Sequence, residues 1–149
     1  MNRQQKWVLT NFSLVVLITI FAVLGMIELK NRVNLSESMR AMEQLQQAVV
    51  AYKQKNGSVP PESHIEGLKQ SFEGQLRLGK LNYRARWIKF DSPPETILAY
   101  VKKDYHSFFY HPIVIVLRID GRIDWMEPDS FKKLLASQQT ALEIEMTPK

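Results

Sequence analysis

The sequence contains no cysteine and only three histidines. The first absence excludes disulfides, thiol catalysis, cysteine-ligated zinc and iron–sulfur clusters, and it leaves the redox compartment open. Glycine and proline are sparse, at six and seven residues, and nowhere do they form a phosphate-binding loop, a dinucleotide fingerprint or a low-complexity linker. A serine-nucleophile motif is missing too, as is any internal repeat. The chain is therefore read as non-enzymatic, with no cofactor. Charge is absent from one place in particular: no Asp, Glu, Lys or Arg occurs from Trp7 to Ile27.

That region reads WVLTNFSLVVLITIFAVLGMI. At about 1.5 Å per residue its roughly 20 residues span about 30 Å as a helix, the thickness of a bilayer's hydrocarbon core. Thr10, Asn11, Ser13 and Thr19 are its only polar positions, and hydroxyls in a helix can bond back to a carbonyl one turn earlier. Trp7 stands at the entrance, where interfacial aromatics sit. A cleaved signal peptide would have a shorter apolar core and a small-x-small site, which Met26-Ile27-Glu28-Leu29-Lys30 does not supply. A single retained transmembrane helix is the expectation. Arg3 and Lys6 precede it; Lys30, Arg32 and Arg40 follow it, mixed with Glu28, Glu37 and Glu43. The basic residues nearly balance, and the short basic tail tips the reading to a cytoplasmic N-terminus. The protein is thus placed in the inner (cytoplasmic) membrane, with its C-terminal domain on the periplasmic or extracytoplasmic side.

With 149 residues, the chain has room for that anchor and one domain. The expected division is a basic tail at 1–6, the transmembrane helix at 7–27, a soluble α+β domain at 28–137 and a polar, frayed tail at 138–149. Leu35, Met39, Met42, Leu45, Val49 and Tyr52 recur at three- and four-residue steps, the stripe of an amphipathic helix. It ends at Asn56-Gly57, with Pro60-Pro61 beyond. Between the two helical patterns the sequence allows either one unbroken helix to about Lys55 or a break near Asn34, which could cap a second helix with Glu37.

Ser63-His64-Ile65-Glu66 reads as a capping box opening a short helix faced by Ile65, Leu68 and Phe72 and closed by Gly74. Leu76 and Leu78, then Leu81, Tyr83, Ala85 and Trp87, alternate with polar residues as two strands about a Gly79-Lys80 turn. A strand over 96–102 follows Pro93-Pro94. The apolar run 113–119, the Asp120-Gly121 pair and the alternating residues 122–126 predict a hairpin closed by a type I′ turn. Glu127-Pro128-Asp129-Ser130 opens a helix faced by Phe131, Leu134 and Leu135. The fold class is α+β: a transmembrane helix continuing into a long amphipathic helix packed on a small antiparallel sheet.

Several of these pieces resemble the type IV pilins and type II secretion pseudopilins. The segment AVVAYKQKNGSVP, residues 48–60, is similar to the end of the pilin helix, where a tyrosine packs on the sheet and Asn-Gly turns the chain. Pro61-Glu62-Ser63 and Ile65-Glu66-Gly67-Leu68 resemble the short helix of the major pseudopilin, and Asp120-Gly121-Arg122-Ile123-Asp124-Trp125-Met126 resembles a pilin Asp-Gly-x-x-x-Trp hairpin. The likeness covers much of the chain and implies a pilin-like fold in which the helix serves assembly and the sheet domain surface contacts. Phe12-Ser13-Leu14-Val15-Val16-Leu17 aligns with the family's Phe-Thr-Leu-Ile-Glu-Leu, but Asn11 replaces the glycine before the cleavage point and Val16 the assembly glutamate. The mature chain is accordingly expected to keep Met1 to Asn11. A calcium loop of the major pseudopilin is not recognisable.

Candidate chemistry is thin. His106 and His111 flank the aromatic run Tyr105 to Tyr110 beside Asp104, a set that could in principle ligate a metal, but the spacing matches no metal motif and reads as an aromatic turn; no metal is assigned. Asp120, Asp124, Glu127 and Asp129 suit turns and helix starts. Arg77, Lys80, Arg84, Arg86 and Lys89 interleave with Tyr83 and Trp87, so that on a strand Lys80, Arg84 and Arg86 share a face. That face is read as solvated, and as a candidate contact surface with lipid or protein. A net charge of +5 permits a nucleic-acid partner without requiring one, and none is expected. Since Trp, Tyr and Arg most often dominate interface energies, Arg84, Arg86, Trp87, Tyr105, Phe108 and Tyr110 are the candidate partner interface. The partners expected are membrane lipid and other protein subunits, including further copies of this chain. Two settings fit: a pilin- or pseudopilin-like assembly, or an accessory single-span subunit of another membrane complex, for example an energy-transducing or photosynthetic one.

Overall fold

A computed structural model describes residues 2–69, 71–72, 79–89, 91–105 and 111–146. Its dominant element is α1 (Arg3–Asn56), a single unbroken helix. Asn2 caps it with a reciprocal bond to Gln5, and at the far end Gly57 takes the left-handed conformation (φ +71°) and donates its N–H to Lys53 O at 2.8 Å. Of the two possibilities left by the sequence, the break near Asn34 is not used. Ser38 Oγ donates to Asn34 O (2.7 Å) inside a continuing helix, so the polar stretch adds bonds to the ladder rather than ending it.

The first half of α1 is long and apolar enough to cross a membrane, and none of it is buried against the rest of the chain. Thr10 and Thr19 donate their hydroxyls to Lys6 O and Val15 O, both at 2.9 Å, which satisfies those polar side chains without water. The second half is amphipathic. Ala41, Met42, Leu45 and Val49 are buried, and Leu35 and Met39 pack on the same cluster.

The stripe lies on an antiparallel meander of four strands in the order β1 (Leu81–Tyr83), β2 (Ile97–Lys103), β3 (Ile113–Arg118) and β4 (Ile123–Met126). β2 and β3 are central, and their β-branched residues point alternately to two cores. Val101, Ile115 and Leu117 meet α1 together with Ile65 of α2 (Glu62–Lys69). Tyr100, Val114 and Val116 meet Phe131, Leu134 and Leu135 of α3 (Pro128–Gln138) on the other face. The domain therefore has three layers, α1, sheet and α3, as a sheet apolar on both faces requires.

Four local expectations are corrected. α2 starts at Glu62, not behind a Ser63 cap: the N–H groups of His64 and Ile65 donate to Pro61 O at 3.1 and 3.3 Å. The hairpin at Asp120-Gly121 is not type I′, because Asp120 keeps negative φ and only Gly121 is left-handed (φ +88°). Gly121 N–H donates to Arg118 O (3.0 Å) and Arg118 N–H to Arg122 O (2.9 Å), which makes a three-residue loop with a glycine bulge. β1 stops at Tyr83, and Ala85–Trp87 forms a 3₁₀ turn instead of continuing the strand. The frayed tail expected at 138–149 contains a further helix, α4 (Ala141–Met146), held by Glu143. The strand expected at Leu76 and Leu78, its hairpin with Gly79-Lys80, and the Gly74 stop involve residues outside those described.

Candidate interaction surface

Where β1 gives way to the 3₁₀ turn, the interface residues read from the sequence separate. Arg84 N–H donates to Leu98 O (2.8 Å), completing the edge of the sheet, and its backbone then leaves the strand conformation at φ −107°, ψ 11°. The guanidinium lies on the face of the sheet that α3 and α4 cover. Arg84 is 4% exposed and meets Glu143 in a two-pronged pair, Nε to Oε1 at 2.6 Å and Nη2 to Oε2 at 2.9 Å. Its Nη1 donates to Ile97 O (2.8 Å) and Nη2 reaches Gln138 O at 3.4 Å. The pair is fully hydrogen-bonded, as a buried ion pair must be to offset its desolvation. Arg84 is thus a structural clamp for the C-terminal helix and not a surface contact, which corrects its place on a solvated basic face.

Arg86 stays exposed, its guanidinium 5.3 Å from the centre of the partly buried Trp87 ring, a cation–π distance. Tyr105 is buried, so it too leaves the candidate contact surface. Phe108 and Tyr110, like His106, lie outside the described residues. The sequence-derived surface thus reduces to Arg86 and Trp87 among the described residues.

Arg86 flanks the end of the domain where α1 stops. Arg86, Ala85, Tyr52, Glu62 and the Ser58–Pro61 stretch line an open cleft of about 580 Å³. Tyr83 donates its hydroxyl to Pro60 O at 2.7 Å. Burial, and then the negative charge of Glu62, push that hydroxyl's pKa well above its ordinary value, so it acts as a neutral strut rather than a titrating group. The Tyr52 ring packs at 4.9 Å on the His64 ring. Among the described residues, no group of three or more His, Asp or Glu gathers at one place.

The acidic residues of the last hairpin are engaged across it. Asp124 accepts from Arg118 Nε and Asp120 from Arg122 Nε, each at 2.6 Å. Burial pushes the Asp120 carboxyl up, but the backbone N–H and guanidinium of Arg122 outweigh it and hold the group below its ordinary value. Asp129 lies in the first turn of α3 with Lys132 at 3.2 Å, and the cap position is Glu127, whose side chain makes no capping bond.

Two features escaped the sequence. The Glu143 partner of Arg84 lies 59 residues away, yet Thr140-Ala141-Leu142-Glu143 is a capping-box pattern, and Glu143 N–H does donate to Thr140 Oγ1 at 3.2 Å. Trp125, read as one residue of an alternating strand, is 69% exposed on the edge strand β4. No protein family, curated protein or solved structure matches this chain.

Proposed function

We propose that this protein is a membrane-anchored, non-enzymatic subunit with a pilin- or pseudopilin-like domain, working through protein–protein assembly. One observation carries the reading: a single helix leads without interruption from an apolar, unburied half into the core of a sheet domain. An unbroken helix couples what happens to the domain mechanically to what happens in the bilayer, which is the construction a structural subunit needs and a tethered enzyme does not. The long helix packed by its stripe on an antiparallel meander also supports the pilin-like reading. In this proposal α1 crosses the inner membrane with Arg3 and Lys6 on the cytoplasmic side, and the sheet domain stands on the extracytoplasmic side.

A second setting is an accessory subunit docked on another membrane complex. Val16 and Asn11 favour it, because a pilus subunit would be expected to carry a glutamate and a glycine there. A carboxylate in lipid is costly and persists for a purpose, so its replacement by valine removes the charge on which pilus-type pairing would rest.

Gentle detergent extraction of the full chain, followed by sizing and identification of what co-migrates, tests the proposal. Assembly predicts a stoichiometric complex, with further copies of the chain or with other membrane subunits. A monodisperse monomer from native membranes would sink it, and turnover of a substrate by the purified chain would overturn the non-enzymatic assignment. Intact-mass analysis checks the N-terminus: Met1 to Asn11 should be retained, and a mature chain beginning at Phe12 would restore the cleavage that Asn11 argues against.

A further inference from the structure

Among the described residues the sheet ends on β4, and the pairing register fixes which of its backbone groups β3 leaves unused. Arg118 N–H donates to Arg122 O, so these two form a hydrogen-bonded pair at the hairpin's base. Antiparallel pairing alternates, and Val116 opposite Asp124 and Val114 opposite Met126 are therefore the next bonded pairs. Ile123 and Trp125 fall between them. Their N–H and C=O groups point away from β3, along the free edge of the sheet.

Edge strands in water are commonly shielded by lysine, proline or a covering loop. Here the strand is Ile-Asp-Trp-Met, without lysine or proline, and its one charge, Asp124, is occupied by Arg118. Trp125 stands opposite Ile115, a residue of the α1-side core, so the exposed indole lies on the α1 side of the sheet. On α1, Val50 is another exposed apolar residue, and it lies close to Gly121 in the loop of the same hairpin. Glu127, just past the strand, is exposed and has no ion-pair partner among the described residues.

We propose that β4 is a strand-addition site: an extended segment of another membrane-complex protein pairs with Ile123 and Trp125 and seats an apolar residue against the indole. This rests on the assembly reading above and names its contact. Free N–H and C=O groups on alternate residues are complementary to extended backbone and to little else, and exposed Glu127 selects a segment with a basic residue at that end. A second copy paired β4 to β4 does not fit. Two antiparallel edge strands are related by a two-fold axis normal to the sheet, and that axis would reverse any helix lying along the sheet's face. Two copies so joined would hold their α1 helices in opposite directions, which two anchors inserted the same way in one bilayer cannot do.

Amide exchange on the full chain, in native membranes and after purification in detergent, tests the site residue by residue. The amides of Ile123 and Trp125 should exchange at least tenfold more slowly in the membrane assembly, while those of Asp124 and Met126, already bonded to β3, change little. Because the chain has no cysteine, a Trp125→Cys variant carrying a benzophenone maleimide reports the neighbour, with Gln54→Cys on exposed α1 as control. The proposal expects a crosslink from position 125 to one extended peptide of another protein. Equal exchange at Ile123 and Trp125 in the two states overturns it, as does crosslinking from position 125 to lipid or to a second copy of this chain. If a complex still co-purifies while these amides stay open, assembly stands and the edge is not its contact.

Discussion

Arg84 and Arg86 are two residues apart in the sequence and opposite in consequence. Removing Arg84 takes from Glu143, 2% exposed, the guanidinium that grips both of its carboxylate oxygens. Breaking such a pair costs about 3–5 kcal/mol, enough to lower the melting temperature of a domain of this size by on the order of 15 °C. Arg84→Ala should show that loss in a thermal melt of the full chain in detergent, whereas Arg86→Ala should cost under about 1 kcal/mol because it gives up only an exposed cation–π contact. Replacing both buried partners by apolar residues, Arg84→Met with Glu143→Leu, should be milder than Arg84→Ala alone. Equal melting of the two arginine variants would mean that the clamp does not hold α4. The alternation of residues 80–87 placed both arginines on one polar face, and it misled because that face was taken as solvated, whereas at Arg84 it lies under the C-terminal helices. The partner that covers Arg84 is nowhere near it in sequence.

Among the elements, those with a long apolar period were legible. The charge-free run, the stripe from Leu35 to Tyr52 and the β-branched run of β3 each needed only one face or one spacing to be identified. Joints were not, because they depend on backbone partners contributed by distant segments. Asp120-Gly121 signals a two-residue turn, yet Ile119 N–H donates to Thr96 O and Asp120 N–H to Pro94 O, both at 3.0 Å. Those bonds hold Ile119 and Asp120 in a three-residue loop in which Gly121 alone takes the left-handed conformation. Gly121 is held at φ +88°, and a Cβ there would come within 3.6 Å of Gln46 Nε2 and Val50 Cγ2. Gln46 also donates that Nε2 to Gly121 O at 2.7 Å, so this glycine ties the hairpin to α1. Gly121→Ala should therefore destabilise the domain by about 1–2 kcal/mol through its left-handed backbone. A melt superimposable on the parent's would show that the loop relaxes without cost. The C-terminal helix is a similar case: six residues carry too little period to announce themselves, and only the Thr140–Glu143 cap marked the start.

On the scale of the whole molecule, the continuity of α1 matters more than its composition. About 20 residues suffice for the bilayer, and the remaining length of α1, at about 1.5 Å per residue, extends some 40 Å beyond it. A tether would need neither that length nor the stripe that packs the helix into the domain, since a flexible linker holds a domain at a membrane equally well. The proposed role as an assembly subunit predicts that rigidity itself is used. Inserting a short Gly-Ser segment after Ile27, below the first residues of α1 that the domain shields, leaves the membrane-crossing stretch and the folded domain each intact while uncoupling them. Helix continuity across the insert would be lost, because glycine costs about 1 kcal/mol per position in a helix and nothing packs there to restore it. The variant should insert in the membrane at normal levels and melt like the parent, yet its complex should dissociate in mild detergent, since the partner would meet a domain free to rotate on its anchor. An equivalent insertion after Asn56, where α1 has already ended, should leave the complex as it was. If both insertions preserve the complex, α1 is a tether and the assembly contacts lie wholly within the sheet domain. Loss in both would mean that the end of the domain around Gly57 and Pro60 is itself part of the interface.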